Sequence, residues 1–256
     1  QARAAAKRAK AINQTGRWFV VALLVLGSVA FLMPFWTMLC MSLKTPGELA
    51  ATESWAWPKN PTLENFRLVL TNPNVSFQLF FRNTVFVAFV STFGVLASSA
   101  VVAYGFARIE FAGRDRLFLL VLSTMMLPGI VTMIPSYVLF KYLGWINTFY
   151  PFTVPAFFGG GAFNIFLLRQ FFMGIPNELD EAALIDGANH WTIFWRVIMP
   201  NAGAALATVG IFCFIYNWRD FMGPLLYLND PNKQTLEVGL RTYQTLNSEQ
   251  WELLMA

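Results

Sequence analysis

The sequence predicts an all-α protein, a polytopic transmembrane helical bundle with five full spans and the start of a sixth. Three observations carry this. Hydrophobic residues fill 56% of 256 positions and charged residues only 12%, a balance foreign to a soluble domain. Uncharged apolar runs long enough to cross a bilayer recur along the chain. Basic residues gather in the short segments between alternate runs, as the positive-inside bias requires.

In chain order, residues 1–17 form a basic tail with Arg3, Lys7, Arg8, Lys10 and Arg17, expected in the cytoplasm. Residues 18–41 make the first span, with Trp18 and Trp36 suited to the two interfaces and Pro34 expected to kink it. No small-residue cleavage site ends this run, so no cleavable signal peptide is expected. Residues 44–82, with Trp55, Trp57, Pro58, Pro61 and Pro73, read as an outer loop holding short helices. The second span covers 83–106, where Ala97, Ser98, Ser99 and Ala100 suit close helix packing. Arg108, Arg114 and Arg116 place the next loop inside.

The third span, 117–140, is interrupted by Pro128-Gly129 and Pro135. It reads first as a simple kink, with a break lining a ligand path as the alternative, because freed backbone groups must meet protein or a wet cavity. Pro151, Pro155 and Gly159-Gly160-Gly161 make the fourth span, 145–168, irregular, and Arg169 is expected to snorkel to the inner face. The fifth, 202–228, holds the adjacent charges Arg219 and Asp220, flanked by Asn217 and Trp218. On a helix these two charges point about 100° apart, so each needs its own partner. Two readings stand side by side: the pair pins the span to a neighbour, or it borders a translocation path. Residues 229–250 form a polar outer loop, and 251–256 begin another apolar run. Cys40 and Cys213 fall inside apolar spans and read as small buried residues, not a disulfide.

The stretch that organises the chain is 176–200, PNELDEAALIDGANHWTIFWRVIMP. Pro176 suits a first helical turn and the acidic residues after it favour a helix N-terminus. Leu179, Ala182 and Ala183 give one small apolar side, and Gly187 can end the helix at positive φ. Asn189 can cap a second helix whose Trp191, Phe194, Trp195 and Ile198 form an apolar stripe. The result is a bent helical elbow at a membrane surface.

Several chemistries are excluded. No Gly is followed by Lys, so there is no P-loop for ATP. The single histidine, His190, has no metal-ligand spacing around it and reads as a surface or interface residue. No nucleophile motif is present, no cofactor is expected, and the scattered basic residues form no stripe for nucleic acid.

Glu181-Ala182-Ala183, Gly187, and then Val197, Met199 and Pro200 resemble the EAA loop of ABC-importer permeases. Val197 and Met199 stand where the family prefers Ile and Leu. The wider run 163–200 is similar to the MalG-like permeases of carbohydrate importers. This resemblance implies a permease subunit, not an enzyme, that passes a sugar or oligosaccharide across the cytoplasmic membrane by alternating access. The basic tail, 1–17, would precede a transmembrane domain, 18–256, whose coupling loop is 176–200. Implied partners are a cytoplasmic ATPase dimer, a second homologous permease, a periplasmic or lipid-anchored solute-binding protein, and membrane lipid. Glu181, Ala182, Ala183, Asp186, Gly187 and Ala188 would couple to the ATPase. Gly239, Leu240, Arg241, Thr242 and Tyr243 would reach the binding protein. A secondary transporter and an ABC permease for a non-sugar solute are the alternatives.

Overall fold

The computed structural model describes residues 2–71, 76–245 and 251–256, with side chains for 16–71, 76–241 and 251–256. Every regular element among them is helical. Pro73 and the side chains of Arg3, Lys7, Arg8 and Lys10 lie outside the described residues. The chain divides into two units, residues 1–76 with 240–256, and residues 77–239.

In the first unit, α1 (Ala2–Ser42) runs through Pro34 as one helix. Its apolar side chains, such as Leu26 and Phe31, are uncovered, as expected of a helix that is apolar all round and meets lipid or another subunit. After it, α2 (Pro46–Ala51) and α3 (Glu64–Thr71) fold the polar stretch into a tight collar. Lys44, which the sequence places in an exposed loop, is fully buried. Its ammonium donates to Thr52 Oγ1 at 3.0 Å and to the Glu53 carbonyl at 2.6 Å. Asn65 Nδ2 donates to the carbonyls of Ser42 and Lys44, both at 2.8 Å. Trp36 Nε1 donates to the Trp55 carbonyl at 2.9 Å, and its ring stacks on Trp57.

The second unit is built around α4 (Phe77–Arg108), a 32-residue helix. α5 (Arg114–Ser123) and α6 (Gly129–Tyr142) follow, meeting at a 97° bend across a 3₁₀ turn and Pro128. The simple kink expected of this span is therefore a sharp break. Pro135 lies within α6 without interrupting it. α7 (Tyr150–Thr153) and a 3₁₀ turn then lead to Gly159, Gly160 and Gly161, all at positive φ, before α8 (Ala162–Met173).

The freed carbonyls of this broken stretch find donors on α4 and α8. Ser91 Oγ donates to the Phe152 carbonyl at 3.0 Å and Ser98 Oγ to that of Ala156 at 2.8 Å. Asn164 Nδ2 donates to the Gly160 carbonyl at 2.7 Å. Close approach is possible because Ser99 and Ala100 are buried and Gly94 leaves room for Phe157.

The chain continues through α9 (Glu178–Ile185), α10 (His190–Ile193), a π-helical turn over Phe194–Ile198, and α11 (Met199–Asn201). α12 (Gly203–Trp218) leaves this stretch at 78°. α13 (Met222–Tyr227) and α14 (Leu236–Thr245) complete the run, and α15 (Trp251–Leu254) packs on α1 and α3 in the first unit. Among the described residues three helical segments are long and apolar enough to cross a membrane, or five if each bent pair counts as one span. The five expected spans are thus reached only by counting bent pairs, and α15 has four residues, too few for a span.

Arg169 departs from its expected place. It is buried, and does not snorkel. Its Nε donates to the Phe106 carbonyl at 3.2 Å, its guanidinium lies 4.2 Å from the Phe118 ring centre, and Nη2 is 3.7 Å from Asp115. It ties α8 to the ends of α4 and α5.

A methyl group at Gly160 would collide with Ser99 and sit 2.7 Å from the Val95 carbonyl, in a left-handed backbone. Gly160→Ala should therefore destabilise the protein by about 1–3 kcal/mol, read as a lowered melting temperature in detergent. Gly105→Ala, with open space around it, should not. Equal melting of the two variants would contradict this packing.

Candidate functional site

The elbow is held from inside by an arginine that the sequence reading assigned only to the positive-inside bias. The Arg108 side chain, at the end of α4, is 4% exposed. It donates to the carbonyls of Phe172 at 2.7 Å and Ile175 at 2.6 Å, and to Asn177 Oδ1. Its Nε lies 3.5 Å from Asp180. Four contacts from one planar fork fix the end of α8 and the start of α9 together.

α9 begins at Glu178, so Pro176 stands before the helix and not in its first turn. Its far end is a Schellman motif: the Ala188 N–H donates to the Ala183 carbonyl at 2.9 Å, and the Gly187 N–H to that of Leu184 at 3.0 Å. Gly187 takes φ 81°, the left-handed value expected of it. Asn189 then caps α10, accepting from the Thr192 N–H at 2.8 Å.

The elbow's residues divide between two faces. Asp180 turns inward to Arg108, while Glu178, Glu181 and Asp186 are exposed. Ala182 is exposed, but Ala183 and Ala188 are half-buried against the core of α4 and α8. The expected apolar stripe is split as well: Ile193, Phe194 and Ile198 are buried, whereas Trp191 and Trp195 are 60% and 51% exposed. The π turn changes the phase of the side chains, which a 3.6-residue period does not foresee. His190, exposed, has Nδ1 3.3 Å from the Tyr104 hydroxyl. Between the two helices lies a notch of about 430 Å³ lined by Ala183, Asp186, Ala188, Thr192 and Arg196.

Further along, α12 ends at Trp218, so Arg219 and Asp220 do not share a helix as expected. Arg219 takes the C-cap position and is exposed. Asp220 Oδ1 accepts from the Gly223 N–H at 3.1 Å at the start of α13. Asn217 Nδ2 donates to the Cys213 carbonyl at 2.8 Å, and Trp218 packs on Phe81 and Phe214. Two cavities flank α12. One, of about 490 Å³, is lined by Gly160, Asn164, Phe212, Tyr216 and Asn217 among others. The second, of about 550 Å³, is lined by Phe212, Tyr216, Arg219, Asp220 and Met222 among others. Asn217, Arg219 and Asp220 thus border open space, while Trp218 is half-buried against its two aromatic neighbours.

In the segment after α13, expected outside, Gly239 is buried against Phe80, where any side chain would collide. Asn83 Nδ2 holds this region by donating to the carbonyls of Asn232 and Gln234, both at 3.0 Å. Leu240 is half-buried and Arg241 exposed, both within α14, so the expected loop is helical here. The side chains of Thr242 and Tyr243 lie outside the described residues.

Residues 91–255 match the family described as binding-protein-dependent transport system inner membrane component. The chain is 32% identical over 245 residues to a putative ABC transporter permease protein, ORF2, of Caldicellulosiruptor sp. (strain Rt8B.4), covering 96% of this chain and 88% of the relative. It is 32% identical over 196 residues to the trehalose/maltose transport system permease protein MalG of Thermococcus litoralis, covering 76% and 70% respectively. It shares its fold with a solved bacterial ABC transporter chain from a system importing the acidic polysaccharide alginate. That match has a TM-score of 0.81 and 24% identity, over 93% of this chain and 89% of the other.

Arg108→Gln removes a buried charge from Asp180 and strips donors from two carbonyls. It should cost about 3 kcal/mol of stability and speed hydrogen exchange in residues 176–187. Arg108→Lys should rescue poorly, since an ammonium cannot reproduce the planar fork. Wild-type exchange in Arg108→Gln would show that the clamp does not hold the elbow.

Proposed function

This chain belongs to the family of binding-protein-dependent transport system inner membrane components, and from that premise we propose how it works as the permease subunit of a saccharide importer. The chain is membrane-embedded, and ATP is hydrolysed by a separate subunit. The sugar reading draws on the trehalose/maltose permease among its relatives.

The observation that carries the mechanism is the elbow: a short helix, locked at one end by Arg108 and at the other by the Gly187 cap, with its acidic face outward. Such an element suits docking in a groove of a cytoplasmic ATPase dimer. Glu181 and Asp186 meet that partner, exposed Ala182 allows close approach, and Ala183 and Ala188 hold the elbow to this chain's own core. Gly187 sets the bend. Closure of the ATPases on ATP then moves the elbow as a rigid body and the helices with it, giving alternating access.

A second permease supplies the other half of the pathway, with the N-terminus and the elbow in the cytoplasm. The cavities beside α12, with Asn217, Arg219 and Asp220 at their walls, belong to the path. A periplasmic or lipid-anchored binding protein delivers the solute to the segment Gly239, Leu240, Arg241, Thr242 and Tyr243, in which buried Gly239 is an anchor and the residues after it are the contact.

Glu181→Lys reverses a charge at the docking face. Gly187→Pro forces φ to about −65° and removes the N–H that closes the Schellman motif. Either change should leave the protein in the membrane but lower ATP-driven uptake in proteoliposomes by roughly tenfold or more. Normal uptake at normal expression in either variant would refute the coupling role.

A further inference from the structure

We infer that this chain itself contacts the solute, and that Arg219 selects saccharides bearing a carboxylate, that is, uronate-containing oligosaccharides. The inference rests on the transport reading above. Phe212 and Tyr216 line both cavities beside α12, so the two adjoin along that helix and are taken together as one trough. At one end, Asn164 and Asn217 each donate from Nδ2 to a backbone carbonyl. Each amide carries two N–H donors and one carbonyl acceptor, so capacity remains for sugar hydroxyls. In the middle, Phe212 and Tyr216 present exposed rings of the kind that cover the C–H face of a pyranose. A few polar groups among aromatic walls is the usual make-up of a small-molecule site.

The other end holds the charge. Arg219 has no carboxylate within ion-pair distance among the described residues. Its neighbour Asp220 lines the same cavity but makes no ion pair with Arg219: Oδ1 accepts from the Gly223 N–H, and Oδ2 lies where a side chain on Gly223 would stand. Asp220 is thus committed to α13, and the absence of a side chain at Gly223 permits it. What remains is a guanidinium facing a trough, with its planar fork free to take a carboxylate through two parallel hydrogen bonds. A neutral sugar would not need that cation, and an uncompensated one beside the membrane interior is costly.

The test uses the assembled transporter, this chain with its partner permease and ATPase, purified without binding protein. Its probes are mixed oligouronates from pectin and alginate hydrolysates, and the same mixtures after chemical reduction of the carboxyl groups. The acidic forms should bind about tenfold tighter at low salt. Arg219→Gln should remove that preference by weakening only the acidic forms, and Arg219→Lys should keep part of it. Equal binding of acidic and reduced forms to the wild type overturns the inference. So does equal weakening of both by Arg219→Gln, or dissociation of the complex, which would make Arg219 a pin to the second permease. In cells that express the complete system with its binding protein, uptake of neutral saccharides unaffected by Arg219→Gln, with no preference for the acidic forms, leaves the transport reading intact while this one fails. Absence of uptake for every saccharide, acidic or neutral, by cells that express the complete system with its binding protein defeats both.

Discussion

A carbonyl without a hydrogen-bond donor is costly wherever water is scarce, and this chain breaks its helices repeatedly in just such surroundings. Its architecture follows from how those breaks are answered. Ser91, Ser98 and Asn164 serve the carbonyls around the broken fourth apolar stretch. Asn83 serves the segment after α13 and Arg169 the end of α4. Arg108 serves the join between α8 and the elbow. In each case a helical side chain donates to a backbone carbonyl at a helix end or beside a break, where the regular ladder leaves it unpaired.

This also explains why the elbow stands where it does. Among its carboxylates, Asp180 lies against Arg108, whereas Glu178, Glu181 and Asp186 stay in solvent. One acid secures the element to the end of α4, and the others stay free, as the proposed docking to a partner requires. The alanines divide in the same sense, Ala183 and Ala188 inward and Ala182 outward. A docking element must be bonded on one side and free on the other, and this short helix separates the two faces within eight residues.

Local chemistry was legible in the sequence, and tertiary partnership was not. Gly187 as a left-handed terminator and Asn189 as a cap depend on their own neighbours within five residues, so the sequence shows them directly. The positions of the breaks at Pro128 and Gly159–Gly161 were legible for the same reason, although the 97° angle was not, because it is set by packing. Arg108, Arg169 and Lys44 read as exposed cations by charge alone. Their burial depends on acceptors that are distant in sequence for the two arginines and supplied by a folded loop for Lys44. The exposure of Trp191 and Trp195 was not legible because an apolar period does not say which edge of the stripe the core covers, and the separation of Arg219 from Asp220 was hidden by the early end of α12.

The length of α4 carries a mechanical consequence. Thirty-two residues at about 1.5 Å each make a rod of roughly 48 Å. Near its first turns Asn83 grips the segment after α13, and at its last residue Arg108 grips the elbow. No proline interrupts it. A helix is stiff along its axis, so the two grips behave as the ends of one strut. A push at the Arg108 grip would be carried along the helix to the Asn83 grip, without needing a relay of side-chain rearrangements in between. Timing between the two faces of the membrane would then be set by the stiffness of a single helix.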